Sequence, residues 1–325
     1  MSHNQRCYSL HQLSSGEEIS CVPIYEQPSL KWLDHESNTY LKEPAFIPSE
    51  KSTEEHTQVI PDEIEIKPAE QVFKSEVGSC PEGISEPRFC ILYFAINDPC
   101  VGSEASVHRV LTPFMKATYA TEVYDWPNSD LYRGAKGYFN VWKPYVELSR
   151  EFSLSQMWIS AGSYSQNNLN TIEVGWQVCK NLYGDDSPHL FVYWTRDAYN
   201  STGCYILACP GFVQTSSKWV VGGASVLAVS QTNGTQYELQ VMVFLDQVKD
   251  VWWLLVNEEY VGYWPNSLFT TLKSGAHHVE FVNSQTGDRH TQTDMGSGEF
   301  AQAGRLTAAY IRSLQTVCYK PKLQL

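Results

Sequence analysis

Residues 171–178, TIEVGWQV, predict a β-strand that carries one glutamate on its polar side. In an extended chain, side chains alternate between two faces, and the apolar face here holds Ile172, Val174, Trp176 and Val178. The other face holds Thr171, Glu173, Gly175 and Gln177. A carboxylate on that face either meets water or lines a cleft, and the rule that charged residues stay exposed favours a solvated Glu173.

Short segments of this kind recur from Gly134 onward, separated by turn residues, as in an antiparallel sandwich or barrel. The 10 Trp, 19 Tyr and 13 Phe also favour strands, because aromatic side chains pack well on pleated surfaces. The strand candidates are GYFNVW, FSLSQMWIS, NTIEVGWQV, HLFVYWT, SKWVVGGASVLAV, TQYELQVMVFL, VWWLLV and HHVEFV. We therefore predict an all-β fold, a jelly-roll-like antiparallel β-sandwich.

Two local features refine this prediction. Asn233-Gly234, directly before TQYELQVMV, predicts the tight turn of a β-hairpin. Helical periodicity is nearly absent; residues 107–123 are the one helix candidate, and Pro113 weakens it.

Composition changes sharply near residue 78. Residues 49–76 are rich in Glu, Lys and Pro and predict a solvated linker. Upstream of it, too few apolar residues are present to fold alone, so we expect that segment to dock elsewhere. The predicted parts are an accessory segment (1–48), an acidic linker (49–77) and the β domain (78–325).

The formal charge of −13 argues against a nucleic-acid partner, which requires a basic patch. No run of about 18 apolar residues indicates a membrane span. The opening MSHNQRCYSLHQ lacks the apolar core of a secretory signal and, taken literally, predicts a cytoplasmic protein. Sequons at Asn200 and Asn233 would accept glycan only in a secretory lumen.

Cysteine and histidine patterns leave few options for chemistry. Among nine cysteines, Cys204 and Cys209 bracket a short loop that a disulfide could close. Cys179, in the apolar-flanked WQVCK, is more typical of a buried small hydrophobe than of a nucleophile. His277 and His278 point to opposite faces of a strand and cannot readily share a metal. We expect no metal and no cofactor. The carboxylates are therefore the remaining candidates for catalytic groups.

A series of strings in this chain resembles the neprosin family of plant proteins, which carry an activation segment and a catalytic β-sandwich. YFNVWKPYVE, EFSLSQMWISAGS, NTIEVGWQV, LYGDD, LFVYWTRDAY, TGCYILACPGFVQ, VGYWPNSLF and DMGSGEF stand in the family's order between residues 134 and 303. EEISCVPIYEQPSL resembles the family's activation-peptide signature, and CPEG at residues 80–83 resembles its start-of-domain motif.

The resemblance implies a glutamic peptidase in which two glutamates cleave a peptide bond after proline. The first matches Glu173, and the second matches Glu280 in HHVEFV, where the family usually shows Gly-Gly-Glu-Val. His278 and Val279 replace those glycines and could narrow the cleft. The resemblance also implies secretion, to the extracellular space or vacuole, of a zymogen that its own N-terminal segment inhibits. We expect a monomer acting on proline-containing peptides.

Two neighbouring carboxyl groups share a proton over part of the acid range, because both cannot ionise cheaply. The ionised member can deprotonate the attacking water, and the protonated member can supply a proton to the leaving nitrogen. We assign Glu173 as the base and Glu280 as the acid. Gln156 is a candidate amide donor to the oxyanion. Candidate walls for a proline ring are Trp176, Tyr193 and Trp194.

Activation would follow when acid weakens the carboxylate pairing of the N-terminal segment, with self-cleavage after Pro61 or Pro68 in the linker. Two other functions remain compatible with the residues. One is a non-enzymatic sandwich that binds glycans or cell-wall polymers on aromatic platforms. The other is a two-glutamate glycoside hydrolase, in which the separation of the carboxylates sets retention or inversion.

Overall fold

In a computed structural model of the protein, residues 9–14, 18–32, 40–48, 65–79, 88–92, 115–125, 131–288 and 290–318 are described. The strands are β1 Ser9–Gln12, β2 Glu18–Pro23, β3 Ile66–Pro68, β4 Arg88–Leu92, β5 Met115–Asp125, β6 Tyr132–Asn140, β7 Phe152–Ala161, β8 Asn170–Val178, β9 His189–Thr195, β10 Cys204–Tyr205, β11 Val213–Gln214, β12 Gln236–Asp246, β13 Val251–Val256, β14 Glu259–Pro265, β15 His278–Asp288 and β16 Ile311–Cys318.

The helices of the described residues are short. They are α1 Pro28–Trp32, α2 Val72–Glu76 and α3 Lys180–Tyr183, with 3-10 turns at Ile24–Glu26, Asn266–Leu268, Leu272–Ser274 and Ala301–Ala303. Within these ranges, no helix has the length and apolar character needed to cross a bilayer.

Two large sheets form the sandwich. Sheet I has six strands in the order β10-β9-β8-β7-β15-β5, and sheet II has the order β11-β14-β13-β12-β6-β16, with β3 added in parallel to β12. Their inner faces meet in one apolar core: the Phe139 and Phe281 rings lie 6.2 Å apart across it, and the indole of Trp176 donates a 3.1 Å hydrogen bond to the carbonyl of Asn140. The predicted all-β sandwich is confirmed.

One predicted strand is wrong. Residues 217–229, SKWVVGGASVLAV, contain no strand, because Gly222 and Ala224 have left-handed φ values of 72° and 35° that interrupt an extended run. The buried carboxamide of Gln71 takes over the backbone pairing: its Nε2 donates to the carbonyls of Val220 and Ala224, and its Oε1 accepts from the Val220 N–H.

The hairpin and helix predictions also fail. Asn233 has the expected positive φ of 55°, but the segment before it is not a strand, so the turn joins no hairpin and β12 pairs with β6 and β13 instead. Residues 115–123 of the helix candidate belong to β5, which pairs with β15 over eleven residues. Residues 107–114 lie outside the described part. The run from Thr118 to Tyr124 is rich in β-branched and aromatic residues, which favour strands.

The N-terminal segment docks on the outer face of sheet II. Leu30 and Leu41 pack on the apolar cluster that contains Trp253 and Tyr263. The Gln27 side chain exchanges two 2.8 Å hydrogen bonds with the Gln214 backbone at the β11 edge. The expected docking of this segment is therefore seen, on the side of the sandwich that faces away from sheet I.

The second part of the predicted linker, from residue 65 onward, packs against the β domain. Residues 49–64 lie outside the described part, but β3 pairs with β12, and α2 buries Phe73 completely beside Val220. Residues 65–77 are therefore not a solvated linker, because Val72 and Phe73 supply an apolar anchor that the acidic composition obscured.

The cysteines are largely oxidised in the described part. Cys204 and Cys209 form the expected disulfide, with Cα atoms 5.7 Å apart. Cys179 is fully buried, as expected, and is disulfide-bonded, as is Cys21.

Candidate active site

Glu173 and Glu280 lie in one row across sheet I. Glu280 on β15 is opposite Trp158 on β7, and Trp158 is opposite Glu173 on β8. Directly opposed residues of antiparallel strands share a face, so both glutamates lie on the outer face of sheet I with the indole of Trp158 between them. Two strand spacings place their Cα atoms about 9.5 Å apart. Tyr193 on β9 and Tyr205 on β10 continue the row.

The next row on this face contains a position without a side chain. Gly175 is opposite Gln156 on β7 and Phe191 on β9. A Cβ on Gly175 would lie 1.9 Å from the carbonyl oxygen of Ser155, so the two strands approach too closely for any other residue. Gln156 is buried, and its Oε1 has no hydrogen-bond partner among the described residues. The buried carboxamide of Gln156 thus lies in the row next to that of Glu173 and diagonal to it.

The carboxyl group of Glu173 is held tightly, and its side chain is only 2% exposed. The phenol of Tyr199 donates a 2.5 Å hydrogen bond to Oε1, and the hydroxyl of Thr171 donates a 2.9 Å hydrogen bond to the same atom. The expectation that Glu173 is solvated is therefore wrong, because the loop between β9 and β10 covers it.

Burial raises the pKa of Glu173 from 4.5 to about 7. Hydrogen bonds from Tyr199 and Thr171, with a weaker contribution from Trp158, oppose this rise, and the charge of Glu280 adds to it. Water stabilises a carboxylate better than two hydroxyl groups do, so the protonated form is favoured inside the protein. Below neutral pH this side chain holds a proton.

Tyr199 is the residue that sequence reasoning missed. Its ring is 2% exposed and stacks between Tyr193, at 5.8 Å, and Tyr164, at 6.1 Å. The string LFVYWTRDAY contained it, but no pattern assigned it a role. The sequence did contain one indication of a structured loop at this point. Asp197 is followed by Asn200-Ser201-Thr202, and short polar side chains in such a run are typical of a hydrogen-bonded turn.

An aromatic wall borders the site on the β9 and β10 side. The ring of Tyr205 lies 5.3 Å from that of Tyr193 and 5.7 Å from that of Phe191. Its hydroxyl donates a 2.9 Å hydrogen bond to Gln177, which also accepts one from Tyr183. The disulfide of Cys204 fixes the strand that carries Tyr205. These buried rings pack beside Glu173.

Of the four expected binding residues, the structure brings two to the glutamate face. Tyr193 and Gln156 are on it. Trp176 and Trp194 are not, because both occupy alternate positions that point into the core. Trp176 is fully buried, and Trp194 packs edge-on against Phe269 at 6.1 Å. The assignment of these two tryptophans as cleft walls is wrong.

The two replacements before Glu280 are not equivalent. Val279 is fully buried on the inner face, so it cannot narrow a cleft on the outer face. His278 is on the glutamate face, opposite Ser160 of β7. The adjacent His277 is exposed. Within the described ranges, no three His, Cys, Asp or Glu side chains come together as a metal-ligating group.

Similar solved structures share little with this chain. A homodimeric agglutinin from chicken liver, CG-16, is 8% identical, with 52% of this chain and 96% of that chain covered at a TM-score of 0.27. The Ruminococcus gnavus IT-sialidase CBM40, solved bound to alpha2,6 sialyllactose, is 11% identical, with 53% and 89% covered at a TM-score of 0.26. At such TM-scores, neither similarity carries an argument.

The sequence profile of the Neprosin family, in contrast, matches residues 149–324, more than half of the chain. The matched region contains β8 and β15 and hence both glutamates of the row. Membership of this family suggests a peptidase-type function. The chain belongs to the neprosin family.

Proposed function

We propose that the protein is an acid-active glutamic endopeptidase that cleaves after proline, with Glu173 and Glu280 as its two catalytic carboxyl groups. The observation that carries the proposal is the row Glu280–Trp158–Glu173, which sets a buried carboxyl and a half-buried one on the same face. The preference for proline comes from the family resemblance, and Tyr193 and Tyr205 are the aromatic residues that continue the row beside Glu173.

The roles we propose are the reverse of those expected from the sequence. Since Glu173 holds a proton below about pH 7, it is the acid of the pair. Glu280, half-buried and closer to water, is the base. Its carboxylate takes a proton from a water molecule, whose oxygen bonds to the scissile carbonyl carbon. Glu173 then gives its proton to the amide nitrogen as the carbon–nitrogen bond breaks, which leaves Glu280 protonated and Glu173 ionised; loss of the Glu280 proton to water and uptake of a proton by Glu173 restore the starting state.

Gln156 completes the proposed machinery. Its carboxamide lies in the row next to that of Glu173 and can donate an N–H to the oxyanion that forms when water attacks. Removal of one preorganised oxyanion donor typically lowers kcat by about a hundredfold or more.

We also propose that the protein is made as a zymogen in the secretory pathway. Exposed sequons at Asn200 and Asn233 and the oxidised cysteines are compatible with a secretory lumen. The N-terminal residues that the structure describes pack on sheet II, away from the glutamate face, so the proposed inhibition rests on the family resemblance. Cleavage after Pro61 fits better than cleavage after Pro68, because Pro68 belongs to β3 and pairs with β12.

The test is to express residues 1–325 behind a secretory signal, acidify the product and measure cleavage of a proline-containing peptide. We expect Glu173→Gln and Glu280→Gln to abolish cleavage. The matched control is Glu299→Gln, the same chemical change at an exposed glutamate, which should keep wild-type activity. Activity that survives in either of the first two variants would rule out the proposed pair.

A further inference from the structure

The loop between β9 and β10 is organised around one carboxylate, Asp197. Its oxygens accept hydrogen bonds from the backbone N–H groups of Ser201 and Thr202 and from both of their hydroxyls, at 2.6 to 3.1 Å. The hydroxyl of Thr195 adds a further one at 3.2 Å. Burial alone would raise the pKa of Asp197, but these hydrogen bonds lower it to about 2. The carboxylate of Asp197 therefore stays charged, and able to accept these hydrogen bonds, above about pH 2.

This closed loop forces Tyr199 into its position. Ala198 and Tyr199 have left-handed φ values of 56° and 62°, which side-chain-bearing residues adopt only where the surroundings compel them. The N–H of Tyr199 donates to the hydroxyl of Thr195, and its ring is held between two other tyrosines. In this position the phenol points toward Glu173 and donates its hydrogen bond to Oε1.

We propose that Tyr199 is a positioning residue that holds the acidic proton of Glu173 on Oε2, and that Asp197 acts through Tyr199. Two hydroxyl groups, from Tyr199 and Thr171, already donate to Oε1. A proton on Oε1 would meet these donors head-on, so the proton occupies Oε2. This inference deepens the proposed function, since a fixed proton position is what a general acid requires.

Several titratable groups face Glu173 from the elements around it. Glu280 and His278 are on β15, Tyr193 is on β9 and Tyr205 is on β10. Burial raises the pKa of Tyr205, and likewise that of Tyr199, so both phenols remain hydrogen-bond donors in the working range. The charge of Glu280, which adds to the rise in the pKa of Glu173, must therefore be removed before Glu173 is titrated.

The pKa of Glu173 is the decisive measurement, by carbon-13 NMR of carboxyl-labelled glutamate in the full chain, with Glu173→Gln identifying the resonance. All spectra are recorded in a Glu280→Gln background, which removes the second carboxyl and any self-cleavage. Tyr199→Phe should raise this pKa by about one to two pH units, the range of one hydrogen bond to a charged group. An unchanged pKa would overturn the proposal.

The matched control is Tyr310→Phe, which removes a hydroxyl that donates at 2.7 Å to the buried Glu238 of sheet II. It should leave the pKa of Glu173 unchanged; a shift as large as that of Tyr199→Phe would also overturn the proposal. If Tyr199→Phe does not fold, Thr171→Val removes the other donor to Oε1 and should shift the pKa in the same direction.

The role of Asp197 is tested by a double-mutant cycle. Asp197→Asn should raise the pKa of Glu173 when Tyr199 is present and should have no further effect in Tyr199→Phe. Additive shifts would show that Asp197 does not act through Tyr199. None of these titrations requires turnover, so absence of peptide cleavage by the wild type would refute the proposed function and leave this inference standing or falling separately.

Discussion

Burial of Glu173 makes a quantitative prediction about how stability depends on pH. The folded-state pKa of about 7 lies above the ordinary value of 4.5, so the folded protein binds this proton more tightly than the unfolded chain does. The stabilisation from the protonated side chain is complete below about pH 4.5 and is lost as pH rises through about 7. At 1.36 kcal/mol per pKa unit, the loss amounts to ~3 kcal/mol.

Glu173→Gln isolates this effect. Glutamine keeps an oxygen that can accept from Tyr199 and Thr171, but it carries no charge at any pH. We expect the variant and the wild type to have similar unfolding free energies at pH 4, and the variant to be more stable by ~3 kcal/mol at pH 8. All other titrating groups are common to both proteins and cancel in the difference.

The assay is urea unfolding followed by tryptophan fluorescence at pH 4, 5, 6, 7 and 8, with disulfides intact. Both proteins carry Glu280→Gln, so that no turnover shortens the chain during the measurement; the charge of Glu280 is the smallest cause acting on the pKa of Glu173, so most of the expected difference is kept. Glu299→Gln serves as the exposed control and should show a flat difference across the series. A difference between Glu173→Gln and its parent that is also flat from pH 4 to pH 8 would refute the buried, protonated state of Glu173.

Three further predictions follow from the packing around the site. Gly175→Ala should lower the unfolding free energy by about 2 kcal/mol or more, because its Cβ would overlap the Ser155 carbonyl, and an unchanged melting temperature would contradict this. His278→Gly should raise kcat/KM for a proline-containing peptide by opening the glutamate face, whereas Val279→Gly should leave the rate per folded molecule unchanged and cost about 2–3 kcal/mol of stability. A specific protease site inserted within residues 49–64 should yield two pieces that co-elute in gel filtration at neutral pH under reducing conditions, in which the disulfide of Cys21 cannot hold them together, since the N-terminal segment packs on sheet II; separate elution would show that this packing is too weak to hold it.

Sequence alone was sufficient for the strand that carries Glu173 and for the face on which it lies, because period-two alternation is a local property. Sequence alone did not predict that the Glu173 side chain is buried. Tyr199, which covers Glu173, is 26 residues further along the chain and reaches it through two left-handed residues that no propensity signals. The alternation in TIEVGWQV places Trp176 on the apolar face of the strand. The prediction that Trp176 lines the cleft contradicted this alternation and was wrong.

The register between strands that are distant in the sequence could not be predicted from the sequence either. Glu280 and Glu173 share a row only because β15 and β8 both pair with β7, each with Trp158 as the opposing residue. A shift of one residue in either ladder would turn one glutamate into the core. Resemblance named Glu280 as the partner, and the register supplies the physical reason that it can be one.

A purely structural role for Glu173 is hard to reconcile with its surroundings. Glutamine at this position could accept the hydrogen bonds of Tyr199 and Thr171 on its Oε1 and would avoid the loss of ~3 kcal/mol that a buried carboxylate brings at neutral pH. What a carboxyl group offers and a carboxamide does not is a proton that can leave. Strongly perturbed carboxyls beside a second acidic group concentrate at sites of proton transfer. The same residue that lowers the stability of the fold at neutral pH is therefore the one best suited to donate a proton in acid.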